Sequence, residues 1–218
     1  MKFTVIIPTM WKANGYLTSM LDKYEQNPLI DEVLLINNAK HPIVGTISAL
    51  YTKVKILGNG INTFVNPAWN FAVKEAKNEN IIIANDDIEI ASFDLVMGLL
   101  DKHLQEGQII GFSQTSFDEI RKNGVLPTQG IVKATHYTLT FGFGVFMAVK
   151  KQSYLPIPEQ MLIWYGDMYL YAQLEPYLIE GFAVDTPMSC TTRTMQLYGQ
   201  KNVEKTYFEK NRTLFQKL

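Results

Sequence analysis

The chain has 218 residues, a net charge of −1, 47% hydrophobic and 19% charged residues, which fits one soluble globular domain and leaves no global field to recruit nucleic acid or an anionic membrane. The apolar runs are too short to span a bilayer, and the N-terminus lacks the long apolar stretch of a signal peptide. The lone cysteine, Cys190, excludes an internal disulfide, so a cytoplasmic protein is expected.

The first half alternates strand and helix signals. Residues 3–7 are a β-rich run that stops at Pro8-Thr9. Residues 11–26 carry Tyr16, Leu17, Met20, Leu21 and Tyr24 at helical spacing. Residues 32–36 read as a second buried strand ending at Asn37-Asn38. Residues 41–51 hold a short helical face of Ile43, Ile47 and Leu50. Residues 54–57 are a third strand, closed by Gly58-Asn59-Gly60. Asn66-Pro67 reads as a helix start, with Asn66 as the cap and an apolar face of Ala68, Ala72, Val73 and Ala76. Residues 81–84 form a fourth strand that runs into Asn85-Asp86-Asp87. Residues 93–104 are helical, with Phe93, Val96, Met97, Leu100 and Leu104 inward.

The second half is less regular. Residues 108–112 are strand-like, 113–129 polar and loop-rich, 142–149 glycine-spaced and β-like, and 152–159 a turn. An aromatic helix is expected over 164–174, a short strand over 182–184, and a helix over 203–215. That last helix sets Tyr207, Phe208, Leu214 and Phe215 against a basic face of Lys201, Lys205, Lys210 and Arg212. There is no repeat or linker, so a single domain is expected. Short, uniformly apolar strands separated by helices predict an α/β fold: a mostly parallel, Rossmann-like sheet flanked by helices. In such sheets ligands lie beyond the carboxyl ends of the strands, where the segments at Thr9, Asn37, Gly58 and Asp86 would converge.

Three constellations could carry chemistry. The adjacent carboxylates Asp86 and Asp87 suit a hard divalent cation, Mg²⁺ or Mn²⁺, that bridges to phosphate. Asn-Asp-Asp is equally good turn composition. Asp167, in an aromatic and apolar stretch, would be desolvated and so suited to act as a general base. The same residue would serve as a helix N-cap. Arg193, within a cluster of hydroxyls, could grip a diphosphate or lie in an ordinary surface loop. The three histidines show no metal-ligand spacing, and there is no dinucleotide fingerprint or P-loop.

Taken together, "FTVIIPTMWK", "EVLLINNAK", "NTFVNPAWNFAVKEAKNENIIIANDDIEI" and "GFGVFMAVKKQSYLPIPEQMLIWYGDMYLYAQL" resemble a GT-A glycosyltransferase, nearest the inverting family 2, over residues 2–174. The resemblance implies one GT-A domain, with a nucleotide-binding half over about 1–105 and an acceptor-binding half over about 106–218. It implies Asp87 as metal ligand, Asp86 against the sugar nucleotide, and Asp167 as the base. It also implies a nucleotide pocket lined by Pro8, Thr9, Asn37 and Asn70. Arg193 is expected on the diphosphate. Asn37 and Asn85 stand where the family usually has acids, the Gly-Glu-Asp pattern is shortened to Gly166-Asp167, and the late family histidine is missing.

The implied reaction moves a sugar from a nucleoside-diphosphate donor, expected to be a UDP-sugar, to an acceptor hydroxyl with inversion. The acceptor would be a glycan, or a hydroxymethylated pyrimidine in DNA as with small phage enzymes. A catalytically silent sugar-nucleotide or glycan-binding module on the same fold is the alternative, and a nucleotidyltransferase ranks below both.

Overall fold

In the computed structural model, residues 1–41, 43–117, 125–134, 141–187 and 198–215 are described. The chain opens with β1 (Phe3–Thr9), α1 (Asn14–Gln26), β2 (Ile30–Asn37), α2 (Val44–Leu50), β3 (Val54–Leu57), α3 (Val65–Glu75) and β4 (Asn80–Ala84). It continues through β5 (Glu89–Ile90), α4 (Phe93–His103), β6 (Gln108–Phe112), β7 (Gly130–Lys133) and β8 (Phe146–Lys150). It ends with α5 (Gly166–Gln173), β9 (Glu175–Glu180), β10 (Val184–Asp185) and α6 (Tyr198–Phe215).

Eight strands form one sheet in the order β3-β2-β1-β4-β8-β6-β9-β7. β3, β2, β1 and β4 are parallel. β8 then enters antiparallel between β4 and β6, β9 runs parallel to β6, and β7 closes the edge antiparallel to β9. A small second sheet pairs β5 with β10.

Strand side chains alternate between two apolar layers. Val5, Ile7, Ile82 and Ala84 pack with residues of α1, α2 and α4. Ile6, Ile81 and Ile83 pack with α3, α5 and Phe208 of α6. Ile81, Ile82 and Ile83 are all fully buried, each worth about 1.5–3 kcal/mol of transfer free energy. Because both faces are covered, β4 reads as a continuous apolar run, and so its acids can only emerge at its end.

Several expectations shift. The first helix starts at Asn14, because Trp11 takes a left-handed conformation (φ 59°) and turns the chain out of β1. Leu50 is 65% exposed, and only Ile47 of that short helix is buried. Asn66 lies inside the first turn of α3, after Phe64 at the cap position. Asp167 likewise sits in the first turn of α5, with Tyr165 at the cap position. β7 and β9 fall where no strand was expected. Leu214 and Phe215 lie outside the residues whose side chains are described.

Candidate active site

The mouths of β1, β2 and β4 meet as the parallel topology requires. Thr9 and Asn37 are register partners at the ends of β1 and β2. The Thr9 hydroxyl donates to Asp86 Oδ2 at 2.5 Å and accepts from the Trp11 backbone N–H at 2.9 Å. The left-handed turn at Trp11 brings its indole N–H to Asn37 Oδ1 at 2.7 Å. Indole nitrogen can only donate, so Asn37 must face it with oxygen. Behind Asn37, the Gly60 N–H bonds its carbonyl at 3.2 Å. Gly58, at φ 89°, passes so close that a Cβ would lie 3.2 Å from that carbonyl. Glycine is required there on both counts.

Asp87 is only 5% exposed and Asp86 is half-buried. Burial, with the neighbouring Asp87 charge in support, pushes the Asp86 carboxyl up to about 6, although the Thr9 hydroxyl and the backbone amides of Asp86 and Met10 pull the other way. A cation beside these carboxylates would relieve that cost, and their oxygens are the donor type Mg²⁺ and Mn²⁺ prefer. The pair therefore fits a divalent ion. Among the described residues no group of three or more metal-ligating side chains occurs. A cation here would share its coordination with other ligands.

The acids are linked to Asp167 through one turn. The Asn85 N–H bonds Val145 O at 2.9 Å, within the single 3₁₀ turn Phe143–Val145. Gly144 in that turn lies against Asp167: a Cβ on Gly144 would be 2.6 Å from Asp167 Oδ2. Burial pushes the Asp167 carboxyl up, and the backbone amides of Met168, Asp167 and Gly144 oppose the shift. A half-buried carboxylate of raised basicity can accept a proton from a bound hydroxyl.

Of the residues picked from sequence, Thr9, Asn37, Asp86 and Asp87 thus come together, and Pro8 is half-buried one position before Thr9. Asn70 is engaged elsewhere. Its Nδ2 donates to Ile157 O at 2.8 Å, and its Oδ1 accepts from Tyr154 Oη at 2.8 Å and Ile157 N at 2.9 Å. It braces the 154–157 segment. Arg193 and Cys190 lie outside the described residues. Sequence reading missed Trp11, whose indole and amide tie Thr9 to Asn37. It also missed Asn38, whose Oδ1 holds Thr63 N and Thr63 Oγ1 at 3.1 and 2.9 Å. Asn38 read only as part of a strand end.

The eight-stranded mixed sheet, parallel over β3-β2-β1-β4 and flanked by helices, is that of the GT-A fold. Solved structures agree. Staphylococcus aureus TarS 1-349 in complex with UDP superposes with a TM-score of 0.61 and 16% identity, covering 84% of this chain and 59% of that one. GalNAc-T7 with UDP, GalNAc and Mn²⁺ gives 0.60 at 13% identity, over 100% and 51% of the two chains. The mannosyltransferase PcManGT from Pyrobaculum calidifontis, with GDP-Man and Mn²⁺, gives 0.56 at 14% identity, over 80% and 53%. The chain therefore spans only about half to three-fifths of these neighbours' length. No family profile and no curated protein sequence matches it. Among the described residues, no helix is long and apolar enough to cross a membrane.

Proposed function

We propose that this chain is a glycosyltransferase that moves a sugar from a nucleoside-diphosphate donor, most simply a UDP-sugar, to an acceptor hydroxyl. The observation that carries the reading is the junction of Thr9, Asp86 and Asp87 at the mouths of β1 and β4, joined by one turn to the basic carboxylate of Asp167. The nucleotide half is assigned to about residues 1–105 and the acceptor half to 106–218. Pro8, Thr9 and Asn37 border the nucleotide, Asp86 faces the sugar diphosphate, and Asp87 would hold the divalent ion.

When bound, such an ion neutralises charge developing on the departing diphosphate. Asp167 accepts the acceptor's O–H proton as that oxygen attacks the anomeric carbon and the bond to the diphosphate breaks, with inversion. The UDP, UDP-GlcNAc and GDP-Man complexes of the fold neighbours support a nucleotide-sugar donor, and the two Mn²⁺ complexes support a divalent ion. The net charge of −1 favours a glycan acceptor over DNA.

The test is a donor screen by thermal shift and calorimetry with UDP-, GDP- and CMP-sugars, with and without Mn²⁺, followed by UDP release. A metal-dependent shift with a UDP-sugar, lost in Asp87→Ala, and turnover lost in Asp167→Asn with binding retained, are expected. Binding without turnover in the unaltered protein would instead identify a silent sugar-nucleotide module.

A further inference from the structure

Glu204 on α6 is fully buried, on a helix that also buries Phe208 one turn further on. Its carboxylate accepts from Ile163 N at 3.1 Å and Trp164 N at 2.8 Å, and Gln200 Nε2 donates to it at 2.9 Å. Those two amides lie just ahead of Asp167. The same short segment is also held by α3. The Val65 and Asn66 amides, free in a first helical turn, bond Leu162 O at 3.1 and 2.9 Å. Asn66 Nδ2 donates to Met161 O and Trp164 O at 3.0 and 3.1 Å. The ring of Phe208, one turn beyond Glu204, stacks on Tyr165 at 5.3 Å and 19°.

Tyr165 is held in a left-handed conformation (φ 62°), which a non-glycine residue keeps only when its surroundings over-determine it. Asn66 Oδ1 is buried, has no hydrogen-bond partner among the described residues, and occupies the space a side chain on Gly166 would need, 2.2 Å from a Cβ placed there. A carboxylate withdrawn from water is costly unless its bonds are well made, and charge-assisted bonds to backbone amides are about twice as strong as neutral ones. Strain, an unsatisfied amide oxygen and a buried anion therefore gather on the residues that immediately precede Asp167.

We propose that Glu204 is a positioning residue: from α6 it clamps the backbone of Ile163 and Trp164, and so fixes where Asp167 stands relative to the reacting hydroxyl. This rests on reading Asp167 as the base. The clamp's hydrogen bonds described above involve none of Thr9, Asn37, Asp86 and Asp87, so the donor side they build should not sense its loss.

The test measures UDP release from UDP-GlcNAc, UDP-glucose and UDP-galactose with water as the acceptor, at a temperature well below each variant's melting point. Calorimetry with UDP and Mn²⁺ runs alongside. Glu204→Ala is expected to lower kcat about a hundredfold, the scale of a misplacement near 1 Å, with UDP affinity unchanged. Glu204→Gln, whose Oε1 still accepts from both amides, should restore kcat to within about threefold. Should alanine prevent folding, Glu204→Asp, which keeps the charge but withdraws it by one methylene, is expected to show the same split between kcat and affinity. Normal kcat in a folded Glu204→Ala with only a lowered Tm, or equal loss of UDP affinity and kcat, overturns the proposal. The base reading is checked separately. If Asp167→Asn turns over normally, that reading and the clamp both fall. If Asp167→Asn is inactive but Glu204→Ala is normal, only the clamp falls.

Discussion

Thr9 and Asp86, 77 residues apart in the chain, share a 2.5 Å hydrogen bond across the mouths of β1 and β4. The hydroxyl serves two neighbours at once, donating to the carboxylate and accepting from the buried Trp11 amide. Thr9→Val keeps the shape and removes both bonds. An unpartnered buried amide costs about 1–3 kcal/mol, so denaturant unfolding should show a loss of that order. Mn²⁺-dependent UDP affinity should fall about tenfold by calorimetry, because Asp86 loses the hydroxyl that helps keep it ionised.

The raised Asp86 carboxyl makes a signed pH prediction. Its folded value of about 6 exceeds the ordinary 3.8, so the native state binds this proton more readily than the unfolded chain does. The resulting stabilisation is fully present below 3.8 and lost as pH rises through about 6. At pH 7.5 the ionised group is therefore a cost to stability. Asp86→Asn should raise Tm at pH 7.5 by about 2–4 °C, the effect of roughly 1 kcal/mol in a chain this long. The gain should vanish near pH 4, and Mn²⁺-dependent nucleotide binding should be lost at either pH. Scanning calorimetry at the two pH values measures the first effect and titration calorimetry the second.

Gly144 has no Cβ because Asp167 fills that space. Gly144→Ala would set a methyl 2.6 Å from Asp167 Oδ2, and the carboxylate would have to move. UDP release should drop about a hundredfold while UDP affinity holds. In the unaltered protein, burial of Asp167 predicts that the acidic limb of the kcat profile falls at a pH above the usual carboxylate range. A pH–rate series at saturating donor reads that limb directly.

At the opposite end of the sheet Glu32, with a side chain 1% exposed, gathers Thr4 Oγ1 and Lys55 Nζ at 2.8 Å each and Lys77 N at 2.9 Å. Burial pushes its carboxyl up, but these donors outweigh it and hold it below the ordinary 4.5. Its contribution is present above 4.5 and is lost as pH falls through the folded value. Glu32→Gln should cost about 1–3 kcal/mol at pH 7, with the difference from the unaltered chain closing below 4.5. Lys55, 61% exposed, should matter less, about 1 kcal/mol or under on alanine substitution. Urea unfolding at pH 7 and pH 4 separates the two.

The parallel half was legible because strands covered on both faces are written as unbroken apolar runs, and an acid pair after such a run has one place to go. Hence the acids fell at the strand ends with Thr9 and Asn37. β9, "EPYLIE", hid its strand behind a glutamate and a proline beside a helix, and β7 is a half-exposed edge. Asn66 read as a cap from its position before Pro67, yet its amide reaches 95 residues on to the Met161 carbonyl. Glu204 hid for the same reason. A glutamate in a lysine-rich helix reads as solvated, and the backbone amides that bury it carry no sequence signature.

β4 takes its partners from two very different parts of the chain: β1 on one edge, β8 on the other. During synthesis the four parallel strands can assemble long before β8 exists. Until then three isoleucines sit on an unpaired strand edge, an invitation to pair with another copy. The acid-bearing strand is thus also an aggregation hazard while the chain is being made, and prompt arrival of β8 is what protects it.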